Sequence, residues 1–419
     1  MSVTSDVEAL RDRIAAHFLP EPPVSLGVAV SGGSDSTALL VLLHEWMKGG
    51  GPEVRAVTVD HGLRPESAAE AAQVARICAD LNVPHDILHW GGWNGQGNLP
   101  DQARLARYDL MADWAPVQGI ADVVLGHTAN DQAETFLMRL ARESGVDGLA
   151  AMAPRRNIKG IAFHRPMLET PRETLRDILR AKSIGWIDDP TNEDRRYERV
   201  RARNALSHLS ELGIGPEGLS RVAHHMSDVR ATLYHYAYTA ARQLVHVEAG
   251  DLVIEKEGFT DLPQEIARRL IQEALKWISG AGYGPRGRAV DQLLHSIGQG
   301  SDMTLHGCHL VVRSDTLRIM REFRAVADLR GDIDAVWDGR WRLVGPGGAG
   351  LHIAALGDKG LMACPERHET GLPALSMKVS PGVWQGENLV AAPCAGLANG
   401  WSAHLVRDEA AYLDAFLSH

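Results

Sequence analysis

The sequence predicts an α/β fold: a doubly wound, mainly parallel sheet, then a helical α+β region and a small β-rich C-terminal part. Three observations carry that expectation. Up to residue 125, short β-branched apolar runs alternate with helix-patterned stretches, as βαβ units do. Between 217 and 280 the pattern turns to helical stripes, first Leu219, Val222, Met226, Val229 and Leu233, then Ile266, Leu270, Ile271 and Leu275. From Gly331 the chain is rich in Gly and Pro with spaced tryptophans, Trp337, Trp341, Trp384 and Trp401. A chain of 419 residues exceeds what one hydrophobic core supports, so the expected domains are 1–210, 217–325 and 331–419.

The elements follow in order. Residues 5–19 form an opening helix with Val7, Leu10, Ile14 and Phe18 on one face. Leu26–Val30 is a buried parallel strand, Thr37–Leu43 runs as a helix, and between them lie Ser31, Gly32, Gly33, Ser34, Asp35 and Ser36. Glycines let an anion approach the backbone, serines add hydroxyl donors, and a helix start offers unpaired N–H groups. The turn reads as a phosphate cradle. It lacks the Gly-x-x-x-x-Gly-Lys-Ser/Thr pattern and contains no lysine, so the anion falls to backbone, hydroxyls and a metal. Val54–Val59 is a second strand ending in Asp60 and His61, which puts both on the rim that carries Asp35. A helix over 68–81 and a strand over 84–90 come next.

After Gly97 a helix carries Arg104 and Arg107 on one face beside Tyr108, either a solvated pair or a phosphate contact. A strand over 121–125 then delivers His127, Asp131 and Glu134 at a helix start. An imidazole with two carboxylates suits a metal or acid–base cluster, although acids in a first turn also suit the helix dipole. Residues 153–203 are the most basic stretch, with a helix over 166–182, a loop over 186–192 and an arginine ladder over 195–203. The ladder, which includes Arg199 and Arg203, is either a solvated face or a surface for phosphates or RNA. Thr304–Val312 and Thr316–Met320 read as two strands.

Composition narrows the class. At 45% hydrophobic and 23% charged, the chain is an ordinary globular protein. Residues 1–13 mix acids with bases and lack an apolar core, unlike a signal peptide, and no apolar run is long enough to span a bilayer. Cys78, Cys308, Cys364 and Cys394 are scattered, which opposes a zinc ribbon or disulfide scaffold and fits a reducing cytoplasm. The net charge of −10 weighs mildly against nucleic acid, but a local basic patch overrides a total.

The loop Ser31–Ser36 resembles that of the N-type ATP pyrophosphatases, which split ATP between its α and β phosphates. Further motifs match in order and spacing: Val59–Arg64, Gly97–Tyr108, Leu125–Thr135, Arg165–Leu168 and Trp186–Arg203. Together they resemble the tRNA(Ile)-lysidine synthetase family, densely over 24–205, less so over 217–325 and faintly beyond 331. Two positions depart from its pattern, Val200 in the ladder and Pro190-Thr191-Asn192 in the preceding turn.

The resemblance implies an adenine-nucleotide-hydrolase-like sheet and a two-step reaction. ATP adenylates the C2 oxygen of the wobble cytidine in tRNA(Ile) with a CAU anticodon, releasing pyrophosphate. Free L-lysine then attacks through its ε-amine and displaces AMP. Implied roles are ATP binding for Ser31–Ser36, Asp60 and His61, Mg²⁺ binding for Asp35, and catalysis for Asp35, His127, Asp131 and Glu134. Arg104, Arg107, Arg199 and Arg203 are the implied tRNA or phosphate contacts. The implied setting is cytoplasmic, without a membrane, and a homodimer stays open. A 2-thiocytidine-type thiolase and a non-catalytic ATP-binding module are the alternatives.

Overall fold

Leu26, Val28 and Val30 point to one face of the first strand and Gly27 and Ala29 to the other, and both faces are covered. The computed structural model describes residues 3–63, 65–93, 95, 98–188, 196–285 and 287–417. Arg64, Gly97, Pro190-Thr191-Asn192 and Arg195 of the motifs above lie outside the described residues. The chain forms two compact units, Met1–Val229 and Arg230–His419.

The first unit runs α1 (Val3–Ala16), β1 (Ser25–Ala29), α2 (Ser34–Lys48), β2 (Glu53–Asp60), α3 (Ser67–Asp80), β3 (His85–His89), α4 (Leu99–Val117) and β4 (Asp122–Leu125). It continues with α5 (Ala129–Leu140), α6 (Val146–Leu149), β5 (Arg155–Ile158), β6 (Ile161–His164), α7 (Arg172–Ala181), α8 (Glu198–Ser210) and the start of α9 (Pro216–Leu244). The sheet order is β3-β2-β1-β4-β6-β5, parallel except for the edge strand β5. Helices α1, α2, α3 and α7 bury Leu39, Leu40, Val74 and Ile178 on one face. On the other, α4 lays Tyr108, Met111 and Trp114 against Val57, Val123 and Phe163. A Cβ on Gly27 would come 3.0 Å from the Trp114 ring, so this strand needs glycine for α4 to approach. The order reverses between β1 and β4, which makes the ends of those strands the switch point where ligands of such sheets bind.

The second unit begins with β7 (Val245–Glu248), β8 (Asp251–Glu255), α10 (Lys256–Thr260), α11 (Gln264–Ser279) and α12 (Gly287–Gly298). Then come β9 (Met303–Leu305), β10 (Cys308–Val312) and β11 (Thr316–Arg321), completing an antiparallel sheet of order β7-β8-β11-β10-β9. Beyond it lie a four-stranded and a two-stranded antiparallel sheet. Trp337, Trp341 and Trp401 sit together in the core of this last part.

Three expectations on local structure change. The stretch Thr304–Val312 is not one strand, because His306 and Gly307 both take positive φ (57° and 70°) and turn the chain back. Lys159–Gly160 and Ala249–Gly250 make the same two-residue turn, creating the β5–β6 and β7–β8 hairpins within stretches read as strongly basic and as mostly helical. The helix expected from 166 starts instead at Arg172, with Pro171 as its extended N-cap.

Candidate functional site

The loop after β1 and the loop after β4 meet backbone to backbone. A Cβ on Gly126 would lie 2.9 Å from the Ser36 Cα and 3.1 Å from the Asp35 carbonyl carbon, so only glycine fits. In the first loop Gly32 takes φ +87°, and Gly33 N-caps α2 without a side-chain bond, which leaves the helix N-terminus to a ligand. The Ser36 hydroxyl accepts from the Ser31 N–H at 3.1 Å and lies 3.2 Å from the Ser31 hydroxyl, closing the turn on itself. Ile187 N–H donates to the Gly32 carbonyl at 2.8 Å, laying the segment before 188 over the loop.

Beyond Gly126, Thr128 caps α5 through Asp131. Asp131 Oδ2 accepts from the Thr128 N–H at 2.8 Å and from its hydroxyl at 2.9 Å. This leaves Oδ1 for the arginines. Arg172 donates through Nε to Asp35 Oδ2 at 2.8 Å and through Nη2 to Asp131 Oδ1 at 3.4 Å, and its Nη1 lies 3.8 Å from Glu134 Oε1. Arg199 donates to Glu134 Oε2 at 2.9 Å and Arg203 to Oε1 at 2.8 Å, while Glu134 itself is 1% exposed. Arg199 and Arg203 are one turn apart on α8, so both reach the same carboxylate, and Val200 turns into the core.

Burial pushes the Asp35 carboxyl above its usual range, although Arg172 beside it pulls the other way. Burial also acts against Asp131, but there Arg199 and Arg172 outweigh it and hold the carboxyl below its usual range. His127 is a neutral imidazole: burial holds it down to about 3, and its Nδ1 has no hydrogen-bond partner among the described residues. Burial and the nearby Arg107 likewise lower His61, whose Nδ1 is also unpartnered among them. Arg107 lies 5.5 Å from the Tyr108 ring centroid, and the buried Arg165 donates to the Tyr108 hydroxyl at 3.0 Å. Asp60 closes its own turn, accepting from the Gly62 N–H at 2.9 Å.

An oxygen-rich carboxylate at a phosphate-binding loop suits Mg²⁺, which takes one or two protein carboxylates and fills its shell with substrate phosphates and water. Among the described residues no three His, Cys, Asp or Glu side chains form a closed metal cage. Asp35 is the carboxylate on the loop itself.

Residues 7–209 match the PP-loop domain model. A tRNA(Ile)-lysidine synthase of Ruegeria pomeroyi is 48% identical over 419 residues, which is all of both chains. The chain belongs to the tRNA(Ile)-lysidine synthase family. A second such synthase, from Bradyrhizobium sp., is 37% identical over 74% of this chain and 92% of its own. Among solved structures, a U34-tRNA thiolase from Methanococcus maripaludis aligns with 54% of this chain and 80% of its own, at 13% identity and a TM-score of 0.47.

In this lysidine synthase family member the fold brings Asp35, Asp131, Glu134, Arg199 and Arg203 into one cluster, and the Arg107 charge acts on both His61 and His127. Arg104 is exposed on α4, away from any carboxylate pairing among the described residues. Sequence reasoning passed over Arg172, which joins both loops, and Asn130, whose Oδ1 accepts from the Arg172 N–H at 2.9 Å. The available signal was Pro171, which places the next residue at the first helical position.

Proposed function

We propose that the chain transfers lysine to the wobble cytidine of tRNA(Ile) bearing a CAU anticodon, using ATP and releasing AMP and pyrophosphate. The observation that carries this reading is the convergence of Asp35 on the Gly/Ser loop with Asp131 and Glu134 at the sheet's switch point. The loop's free helix N-terminus suits the phosphates of ATP, and Mg²⁺ held at Asp35 would offset charge as pyrophosphate departs. Arg172, Arg199 and Arg203 counter the charge on three carboxylates that would otherwise repel one another.

The ε-amine of lysine arrives protonated, so its proton must leave before or during attack. His127 is a poor acceptor, because burial keeps its ring neutral down to about 3. Its lone pair can still orient an ammonium or hydroxyl. With Asp35 given to Mg²⁺ and Arg172, that proton falls to another carboxylate of the cluster or to water. The thiolase reading needs a reactive cysteine near the loop. Cys78 in α3 is buried, and burial pushes its thiol up to about 11, so it offers no thiolate at neutral pH.

The deciding assay is incorporation of labelled L-lysine into tRNA(Ile) with a CAU anticodon, with pyrophosphate followed in parallel. Pyrophosphate without lysine transfer would point to another ATP-dependent tRNA modifier, and neither product to a binding module. We assign the cytoplasm as the setting, and sedimentation of the purified chain decides monomer or homodimer. Holding the tRNA body falls to residues beyond the first unit, since a tRNA is far larger than one nucleotide site. Leu219 and Ala223 of α9 pack with Phe136 and Leu206, so a test by truncation belongs after Val229, not near 210. Residues 1–229 should bind ATP as the full chain does and lose most tRNA affinity. Equal tRNA affinity in the two would assign the second unit elsewhere.

A further inference from the structure

We propose that Arg172 is a positioning residue that fixes the spacing between the nucleotide loop and the acidic turn during adenylation. The inference rests on the ATP-dependent reading above. Three successive residues of the acidic turn grip the segment that carries Arg172. Ala129 N–H donates to the Thr170 carbonyl at 3.0 Å, Asn130 Oδ1 accepts from the Arg172 N–H at 2.9 Å, and Asp131 Oδ1 accepts from Arg172 Nη2 at 3.4 Å. Thr170 is fully buried, and its hydroxyl accepts from Arg13 Nη2 at 2.9 Å. The base of the side chain is therefore fixed before the guanidinium reaches anything. From that base Nε crosses to Asp35 Oδ2 at 2.8 Å, joining residues 137 positions apart.

Backbone contact at Gly126 brings the two loops together at their root. It does not set where the carboxylates above it point. Thr128 orients Asp131 and the Ser34 hydroxyl reaches Asp35, each within its own loop. Arg172 sets the two carboxylates relative to each other, because one planar fork donates along two fixed directions, to Asp35 and to Asp131. A lysine at this position would supply the same charge at a single point and could not hold both oxygens in one geometry. Charge neutralisation alone would be rescued by lysine, and positioning would not.

The test compares full-length wild type, Arg172→Lys and Arg172→Gln. Readouts are ATP affinity by calorimetry, thermal melting, and kcat and KM for tRNA-dependent pyrophosphate release. For Arg172→Lys we expect near-wild-type melting and ATP affinity within about threefold, with kcat lower by about a hundredfold, as a misplacement near 1 Å costs. Arg172→Gln should lose at least as much. Wild-type kcat in the lysine variant would overturn the inference, even if the glutamine variant fails to fold, because the residue would then be a structural charge. A kcat/KM loss arising wholly from weaker ATP binding overturns it too. If the wild type releases no pyrophosphate with tRNA, the ATP reading falls first, and Arg172→Lys is not what sank it.

Discussion

Each unit of this chain contains a buried arginine–carboxylate network, and the two end differently. In the first, Arg172, Arg199 and Arg203 direct their donors to Asp35, Asp131 and Glu134 at the ends of β1 and β4. In the second, Arg318 donates to Asp251 at 3.0 Å and Arg321 to Asp338 at 3.0 Å, but Arg340 finishes on backbone, at the Ile278 and Gly250 carbonyls. Those carbonyls belong to the end of α11 and the β7–β8 turn, so Arg340 ties secondary elements together. A guanidinium on a backbone carbonyl completes the fold and has no ligand to await. A guanidinium on a carboxylate at a switch point can exchange its partner for a phosphate or a substrate. Arginine density alone does not separate the two cases; the destination of the remaining donors does.

The largest test of that contrast replaces one carboxylate in each network. Asp35→Asn should lower tRNA-dependent pyrophosphate release by about a hundred- to a thousandfold, as losing a key electrostatic group does, with little change in melting. Asp338→Asn should do the opposite. It leaves the buried Arg340 and the half-buried Arg321 short of a counter-charge and costs about 3 kcal/mol of stability by denaturant melting. Stability loss from Asp35→Asn with normal turnover would reverse the two assignments.

The next test asks whether the ladder serves RNA or only Glu134. Replacing Arg199 and Arg203 together with Gln leaves a carboxylate that is 1% exposed with Arg172 alone, 3.8 Å away. Stability should fall by about 3 kcal/mol, the cost of orphaning a buried charge. If the arginines also neutralise phosphates, the log–log salt slope of tRNA binding becomes shallower by about one unit for each phosphate left unneutralised. A stability loss with an unchanged slope would make the ladder a structural support like Arg340.

How far the sequence disclosed this site depends on the range of the signal. The Gly/Ser turn, Asp60 and the His127–Glu134 turn are local patterns, each at the end of a β-branched run, and their strands and helices lie close to the expected bounds. Arg172 is not local. Its meaning depends on Asp35, 137 positions away, and on Asn130, and no periodicity in the basic stretch singles it out. The ladder read as solvated or RNA-facing keeps Arg199 and Arg203 partly exposed but aims both at Glu134, because helical spacing aligns them with a carboxylate that only the fold supplies. The three X-Gly hairpins were missed because their first turn residues, Lys159, Ala249 and His306, are not the usual Asn or Asp.

A smaller effect distinguishes the networks by pH. Asp251 is pushed up to about 6 by burial, against the pull of Ser376 and Arg318. Its folded form therefore keeps a proton that the unfolded chain releases near 4, so this group lowers stability as pH rises from about 4 to about 6. Asp251→Asn removes that titration. Relative to the wild type, the variant should gain about 3 kcal/mol across the window and nothing further above it. A difference that is flat with pH would mean Asp251 stays ionised throughout, as Asp131 does in the first network.

The smallest expected change concerns His127, a site imidazole close enough to the first network for Asp131 and Arg199 to act on it. Burial holds it down to about 3, Asp131 pulls it up, and Arg107, Arg165 and Arg199 push it down again. Between about pH 6 and 8 the ring is then neutral and has nothing to titrate. The pH profile of kcat/KM should keep its shape in His127→Asn, whatever the drop in level, because no limb in that range belongs to this residue. Stability carries the complementary sign. An unfolded histidine takes a proton near 6.5 and the folded one does not, so its contribution is lost as pH falls from about 6.5 toward 3. The stability gap between wild type and His127→Asn should therefore shift in favour of the variant on acidification, measured by denaturant melts at about pH 7 and about pH 5. Loss of a limb near 6.5 in the variant would show a ring that titrates during turnover. The first network would then be open to water, and its carboxylates would be exchanging partners with solvent as well as with substrate.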